Sequence, residues 1–248
     1  MSGQTKKFVK VDCGSCPIRK RAVCSRSSDT ELEQIEKMKS YRTYEAGQTI
    51  VWAGDDMKFI GSVVTGVASI SKTMEDGRRQ MVGLLLPSDF VGRPGRLVAP
   101  YDIAAITEVV LCRFQKNQFE QLIDTSPSVG PRLLEMTMDE LDAAREWMLL
   151  LGRKTAREKI ASLLSIFAHR DKHLKLSTTS NSAEFELPLT REAMAEYLGL
   201  TIETASRQMS ALKREGVIAL QGKRNIKVPD LARLLNESGD DADGGILI

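Results

Sequence analysis

The stretch 187–228 constrains the fold of this 248-residue chain more than any other. Thr190 stands where it would cap a short helix over Arg191–Leu198, and Gly199 then begins a tight turn. Thr201 stands where it would cap a second helix directly after that turn. Two short helices joined by a glycine-containing turn are typical of a helix-turn-helix, whose second helix enters the major groove of DNA.

The second of these helices, predicted to run to about Glu215, has two different faces. Its apolar residues recur at spacings of three and four and are predicted to be buried: Ile202, Ala205, Met209 and Leu212. The opposite face is polar and carries Glu203, Ser206, Arg207, Ser210 and Arg214. Arginine can donate two hydrogen bonds to guanine, glutamate can accept one from cytosine, and serine suits several bases. The alternative is a solvated face on which Glu203 and Arg207 form an ordinary i,i+4 ion pair.

A hairpin is predicted after the second helix. Gly216 ends that helix, and Val217–Leu220 and Asn225–Val228 are predicted to be short strands. The hairpin carries three cations that are placed to contact DNA phosphates: Lys223, Arg224 and Lys227. The sequence therefore predicts a winged helix-turn-helix.

This winged helix, with Glu-x-x-Ser-Arg in its second helix, resembles the CRP/FNR family of transcription regulators. Glu203, Ser206 and Arg207 match the base-reading residues of the FNR branch, and the resemblance implies a TTGAT half-site in an inverted repeat. The predicted DNA-contacting set also includes Thr201, Arg214, Lys223 and Arg224. The expected partners are double-stranded DNA, a second copy of the chain and RNA polymerase.

The chain has four cysteines, Cys13, Cys16, Cys24 and Cys112. In a chain without a secretory leader, clustered cysteines indicate metal or redox chemistry rather than disulfides. Four thiolates suit either a 4Fe–4S cluster or a closed zinc site. The three N-terminal cysteines have no local fourth ligand and therefore need one from elsewhere. The alternative for Cys112 is an ordinary core residue of the predicted strand Val109–Phe114.

The FNR branch has three cysteines in an N-terminal arm and one in the sensor domain, which together hold an oxygen-labile 4Fe–4S cluster. Cys13, Cys16, Cys24 and Cys112 fit that arrangement. The resemblance implies that oxygen converts the cluster to a 2Fe–2S form and that the dimer then dissociates. Seven residues separate the second and third cysteines here, where some family members have five. We expect this departure to change the shape of the loop more than the ligation.

Residues 41–114 are rich in short predicted strands punctuated by glycine: Thr49–Trp52, Phe59–Thr65, Val67–Met74, Gln80–Leu86, Ile103–Thr107 and Val109–Phe114. The pattern predicts a compact antiparallel sandwich or barrel, and it resembles the double-stranded β-helix of cyclic-nucleotide-binding sensor domains. Nucleotide-binding relatives place a glutamate against the ribose, where this chain has Arg93. Because an arginine cannot accept a hydrogen bond, we predict that the chain binds no cyclic nucleotide.

A long helix is predicted over Arg132–Leu151, after Pro127 and Pro131. Apolar and small residues recur along it at the spacing of a two-helix seam: Leu134, Leu141, Ala144, Met148 and Leu151. The seam predicts a dimer interface, and packing within the chain's own core is the alternative. Gly152, Arg153 and Lys154 are interpreted as a hinge after the helix.

These patterns predict an α+β protein with five segments. They are a cysteine-bearing cluster arm at 1–28, a β-barrel sensor domain at 29–130, a dimerisation helix at 131–152, a winged helix-turn-helix domain at 153–235 and a disordered acidic tail at 236–248. Charge supports the division. Residues 27–151 hold 13 Lys and Arg against 19 Asp and Glu, whereas residues 152–235 hold 15 against nine. An excess of cations around the helix-turn-helix is the electrostatic signature of phosphate binding.

Other classes of protein fit the sequence less well. It contains no apolar stretch long enough to span a membrane and no signal peptide, so a cytoplasmic location is expected. It also lacks a nucleophile–base set and a glycine-rich phosphate loop, so we predict no enzyme activity. Two alternatives remain open: a family regulator with a structural zinc site or another effector, and a redox enzyme that uses a cluster in catalysis.

Overall fold

The computed structural model describes residues 10–174, 181–222 and 224–239, with the backbone alone for 170–174. The chain divides into two compact units that meet in sequence between Thr137 and Met138. None of the described helices is both long and apolar enough to cross a bilayer.

The first unit begins with helix α1, Asp29–Met38, whose start is closed by a capping box between Ser28 and Glu31. Eight strands follow: β1 (Ser40–Tyr44), β2 (Thr49–Val51), β3 (Phe59–Thr65), β4 (Ala68–Thr73), β5 (Arg79–Leu85), β6 (Phe90–Val91), β7 (Asp102–Ala105) and β8 (Val109–Gln115). They form two four-stranded sheets in the orders β1-β8-β3-β6 and β2-β7-β4-β5. The described pairings are antiparallel, and the predicted β-rich fold of this part of the chain is confirmed.

The two sheets enclose one apolar core, and a second core lies between the β1-β8-β3-β6 sheet and the N-terminal arm. The arm core includes Ile18, Val23 and Ile35 on one side and Ile60 and Phe114 on the other. Burial of these side chains fixes the cysteine-bearing segment against strands β3 and β8.

Two helices follow β8: α2, Lys116–Thr125, and α3, Val129–Arg153. The sequence prediction placed Pro131 before the long helix, but α3 already includes it. Proline is tolerated there because the first N–H groups of a helix have no intrahelical partner. The break predicted at Gly152, Arg153 and Lys154 comes at the end of that range. Helix α3 continues through Arg153, and Lys154 and Thr155 separate it from the helix that begins at Ala156.

The second unit contains α4 (Ala156–Leu174), β9 (Ala183–Glu186), α5 (Arg191–Leu198), α6 (Ile202–Arg214), β10 (Ala219–Gln221), β11 (Asn225–Val228) and α7 (Leu231–Ser238). Its core is built on Ile160, Leu163 and Leu164 of α4 with Met194, Leu198 and Met209 from α5 and α6. The predicted acidic tail is corrected at its start. Asn236–Ser238 belong to α7, which Asp230 caps by accepting from the Arg233 N–H, whereas 240–248 lie outside the described residues.

Candidate metal centre and DNA-binding surface

The four cysteines surround one cavity. Cys13, Cys16, Cys24 and Cys112 all line it, together with apolar side chains of the arm core such as Ile18 and Ala22. Cys112 lies on β8, where it pairs with Tyr41 of β1 and Ser62 of β3. All four thiols are free, and Cys13 and Cys112 are buried. The fold therefore brings together residues 88 or more positions apart in the sequence.

The end of α1 and the start of β1 hold the segment that carries Cys13. The Glu36 carboxylate accepts the Cys13 N–H at 2.7 Å. The Lys39 ammonium donates to the Val11 carbonyl at 2.7 Å, to Glu36 at 2.7 Å and to the Cys13 thiol at 3.6 Å. Tyr41 donates its hydroxyl to the same Val11 carbonyl at 3.2 Å. Sequence patterns gave no sign of these contacts, because Glu36, Lys39 and Tyr41 are ordinary residue types at unremarkable spacings.

Arg19 holds the other end of the cysteine loop. Its guanidinium donates to the Cys24 carbonyl at 2.7 Å and to the Ser27 carbonyl at 3.0 Å. Its backbone N–H donates to the Cys16 carbonyl at 3.0 Å. Through its side chain and its backbone, one residue thus closes the seven-residue interval between Cys16 and Cys24 into a compact turn.

Burial favours the protonated, metal-free form of the thiols of Cys13, Cys24 and Cys112, because it raises the pKa of each. It raises the pKa of Cys13 to about 12, and hydrogen bonding to Glu36 adds to the effect. It likewise raises the pKa of Cys112 to about 12, with further contributions from the nearby Cys16, Cys24 and Cys13 thiols. The pKa of Cys24 is raised by the same burial. Because thiolates are the binding form, loading a metal here must release protons.

The donor set fits a sulfur-ligated metal centre. Among the described residues, the cavity wall supplies four thiols and no carboxylate or imidazole, and such a soft set suits iron–sulfur clusters and zinc. Over the described residues, no three His, Cys, Asp or Glu side chains already stand in metal-binding positions. The thiols therefore share a cavity, but the four sulfur atoms do not yet converge on one position within the described part of the chain.

The arm is also tied to the first turns of α3. Arg26 forms an ion pair with Glu135 at 2.6 Å, and Arg132 donates to the Arg21 carbonyl at 2.8 Å. Glu31 of α1 accepts hydrogen bonds from the hydroxyls of Ser126 and Ser128, just before and at the approach to α3. The cysteine loop and the long helix therefore share a continuous set of polar contacts.

The helix-turn-helix forms as predicted. Thr190 caps α5, Gly199 ends it in the left-handed conformation at φ 62°, and Thr201 caps α6 by accepting the Thr204 N–H at 3.2 Å. Ala205, Met209 and Leu212 are buried. The prediction for Ile202 is wrong, because its side chain is 46% exposed. It is the first residue of α6 and lies beyond the edge of the core.

The polar face of α6 is open to solvent. Glu203, Arg207, Ser210 and Arg214 are exposed, and Ser206 is half-buried. Arg207 donates weakly to the Thr204 hydroxyl at 3.4 Å, and none of the described ion pairs joins it to Glu203. Hydrogen bonding from its own backbone N–H and from Thr201 holds the pKa of Glu203 below its usual range, so this side chain is an acceptor at neutral pH. The exposed acceptor and donor are thus available to base edges.

The wing has one more strand than predicted. Strands β10 and β11 form the expected hairpin, and β9 pairs with β11 on its other edge. Arg224 and Lys227 are exposed, whereas Lys223 lies outside the described residues. Two of the three predicted cations of the wing are thus exposed, and the phosphate contact expected of Lys223 stays a prediction.

The residues of the predicted seam form an apolar stripe on α3. Leu134, Leu141 and Met148 are 62%, 42% and 66% exposed, although their side chains are large and apolar. Ala144 is exposed and Leu151 half-buried. Packing within the chain's own core therefore does not explain the first four, and their role as a dimer interface stays a prediction.

Comparisons with known proteins agree with this architecture. The Crp-like helix-turn-helix domain family matches residues 158–237, and the cyclic nucleotide-binding domain family matches residues 41–126. The chain is 65% identical to the transcriptional activator protein FnrL of Cereibacter sphaeroides. The alignment spans 234 residues and covers 94% of each chain. The chain belongs to the CRP/FNR family of transcription regulators.

Two further relatives support the assignment. The nitrogen fixation regulation protein FixK of Bradyrhizobium diazoefficiens is 38% identical over 208 residues, or 84% of this chain and 86% of the relative. The structure of FixK2 from Bradyrhizobium japonicum matches with a TM-score of 0.73 at 30% identity, over 82% of this chain and 99% of that one. This regulator is thus a DNA-binding transcriptional activator of the FNR/FixK type and not an enzyme. The family assignment also supports dimerisation.

The loop around Arg93 is closed by the regulator's own side chains. Lys116 of α2 is buried and donates to the Arg96 carbonyl at 2.5 Å. Glu120 of the same helix accepts the Gly95 N–H at 2.8 Å, while Arg93 itself is exposed. That the regulator binds no cyclic nucleotide stays a prediction, since the matching family describes the domain and not the ligand of this chain.

Proposed function

We propose that this regulator senses oxygen through a 4Fe–4S cluster held by Cys13, Cys16, Cys24 and Cys112. With the cluster in place, the chain is proposed to form a homodimer that binds an inverted repeat of TTGAT-type half-sites under anaerobic conditions. One observation carries the proposal: three arm cysteines and a cysteine of a core strand line the same apolar cavity. A buried strand cysteine with a purely packing role would not need three further thiols around it.

When bound, the cluster would supply the sulfur-ligated iron that reacts with oxygen. The chain's own residues would do the rest. The four thiolates would join the arm to β8, and the apolar wall would exclude water from the sulfur atoms. Glu36, Lys39 and Arg19 would keep the backbone of the cysteine loop in place through the contacts described above.

Loss of the thiolate ligation would release the arm. The contacts between the arm and α3 indicate which residues of the helix would then lose a partner. Arg26 and the Arg21 carbonyl bind Glu135 and Arg132, both within one helical turn of Leu134 at the start of the apolar stripe. Release of the arm would therefore loosen the first turns of α3. A seam of about three heptads gives modest association, so that a small change there would shift the monomer–dimer balance.

DNA recognition would follow from dimerisation. An inverted repeat needs two recognition helices about 34 Å apart, which only a dimer supplies. In each copy Arg207 would read a guanine, Glu203 a cytosine, and Ser206 a neighbouring base. The expected additional contacts come from Thr201, Arg214, Lys223 and Arg224. Activation would further require contact with RNA polymerase, for which no surface is assigned.

The test begins with protein purified without air. A brown protein with iron and sulfide in about a four-to-four ratio per chain, which bleaches in air and then releases a labelled inverted repeat, is the expected result. A duplex with both TTGAT half-sites scrambled is the control. A colourless protein that contains zinc and keeps its DNA in air would reject oxygen sensing and select the structural-zinc alternative.

A further inference from the structure

Ser62 carries a buried hydroxyl that finds no hydrogen-bond partner among the described residues. It lies on β3, is 2% exposed and lines the cysteine cavity. Within the described part of the chain, its Oγ atom has no hydrogen-bond partner. Buried hydroxyls are almost always paired, because the lost hydrogen bond to water is otherwise uncompensated. An orphaned donor in the wall of a candidate metal site indicates a partner that arrives with the ligand.

The register of the sheet identifies that partner's position. Ser62 and Cys112 are directly opposite each other in the antiparallel β3–β8 pair, so their side chains are neighbours on one face. Both line the cavity, and no described carboxylate or imidazole does so. Tyr41 also lines the cavity, but its hydroxyl is already bound to the Val11 carbonyl. The acceptor expected for Ser62 is therefore a sulfur atom, either the Cys112 thiolate or a sulfide beside it.

Lys39 provides a second donor on the Cys13 side. Its side chain is only 5% exposed, although it carries a charge. Its ammonium contacts the Cys13 thiol at 3.6 Å and is held in place by Val11 and Glu36. A buried cation is costly unless it has anionic or dipolar partners, and a thiolate at Cys13 would be one more.

We propose that Ser62 and Lys39 complete the sulfur environment of the metal centre, Ser62 by donating to a sulfur at Cys112 and Lys39 by donating to the Cys13 thiolate. This inference rests on the proposed function, because it needs thiolate ligation in the cavity. Both are positioning residues and not ligands. Hydrogen bonds to ligand sulfur withdraw electron density, stabilise the reduced state of the centre and raise its reduction potential.

The experiment compares Ser62→Ala and Lys39→Met with wild type, all loaded anaerobically. Ser69→Ala is the control, because Ser69 is equally buried but donates to the Ala104 carbonyl in the other sheet. A dithionite titration, in which the titrant supplies the electron, measures the reduction potential. Both variants should keep full iron and sulfide while their potentials shift to more negative values. Lys39→Arg should keep a potential close to that of wild type, because arginine can still donate to the Cys13 sulfur. Ser69→Ala should not shift the potential.

The melting temperature of metal-free protein gives a second readout, in which Ser62→Ala and Ser69→Ala should change in opposite directions. There Ser62→Ala removes an unpaired buried hydroxyl and should raise the melting temperature, whereas Ser69→Ala breaks a hydrogen bond and should lower it. Fully loaded variants with wild-type potentials would overturn the inference and leave the proposed function standing. If wild type binds zinc without sulfide, the proposed function fails. The inference then requires an approximately tenfold loss of zinc affinity in Ser62→Ala, and unchanged affinity would overturn it.

Discussion

The indole ring of Trp147 stacks on the ring of Tyr197, with centroids 4.0 Å apart and planes 19° from parallel. Trp147 belongs to α3, the helix of the predicted seam, and Tyr197 belongs to α5, the first helix of the helix-turn-helix. Both rings are buried. The stack therefore fixes the orientation of α5 on the C-terminal part of α3.

We expect Tyr197→Leu to weaken binding to the inverted repeat by about three- to tenfold, the range that corresponds to the loss of one aromatic pair. Fluorescence anisotropy of labelled DNA measures the affinity. In a Trp52→Phe background the remaining tryptophan, Trp147, reports the loss of the stack through a red shift of its emission. Tyr101→Leu, at an exposed position in the first unit, is the control. A shifted emission with unchanged affinity would mean that the stack only stabilises the fold.

Cys112→Ser should abolish cluster assembly, because a serine oxygen is a poor ligand for a centre built on soft thiolates. Iron and sulfide analysis of protein purified without air is the measurement. Val110→Ala is the matched control, since Val110 lies two residues away on the same strand, in the same core, and should retain its iron. A Cys112→Ser protein with full iron and sulfide would show that the fourth ligand comes from elsewhere.

Arg207 and Arg224 should differ in how they affect DNA binding. Arg207→Ala should cost about 1–3 kcal/mol and relax base preference at one position. Arg224→Ala in the wing should weaken binding evenly across sequences and flatten its dependence on salt. Titrations of single-base variants of the inverted repeat at two salt concentrations separate the two effects. A base-specific loss from Arg224→Ala would reverse the assigned roles.

Leu141→Glu should separate the cluster from dimerisation. It would place two carboxylates against each other across the seam, so the loaded protein should sediment as a monomer and fail to bind the inverted repeat, with its iron intact. Asp142→Asn, an exposed change of charge at the next residue of the helix, should remain a dimer. The proposed coupling of cluster integrity to dimerisation is tested on wild type treated with oxygen. A protein that bleaches yet stays dimeric and bound to its DNA would refute that coupling.

Glu31 should make the stability of the sensor domain depend on pH. Hydrogen bonds from Ser126, from Ser128 and from the Ser28 backbone and hydroxyl lower its pKa to about 2. The folded state is thus stabilised by ionised Glu31 above its ordinary pKa of 4.5, and this contribution is lost as the pH falls from there towards 2. In metal-free protein, Glu31→Gln should lower the urea midpoint at pH 7 and flatten its fall between about pH 5 and 3. Glu33→Gln, an exposed change on the same helix, should leave both unchanged.

Much of the fold was predictable because it depends on local signals. Thr190, Gly199 and Thr201 set the bounds of α5 and α6 through capping and a left-handed glycine, which involve only neighbouring residues. Strand β3 was predicted residue for residue from its apolar run. Strands β1, β6 and β9 were missed because they are short or polar on one face, and their partners lie far away in sequence.

The sequence by itself determined the residue types available for the candidate sites: four thiols, Glu203 and Arg207 on the second helix of the helix-turn-helix, and an apolar stripe on a long helix. Only the tertiary structure decided that Cys112 faces the arm cysteines, because that depends on the pairing of β8 with β1 and β3. It also placed Lys39 against Cys13 and Ser62 beside Cys112. Such neighbours carry no spacing signal, since the contact between a ligand and its supporting residue is made by the packing of separate elements.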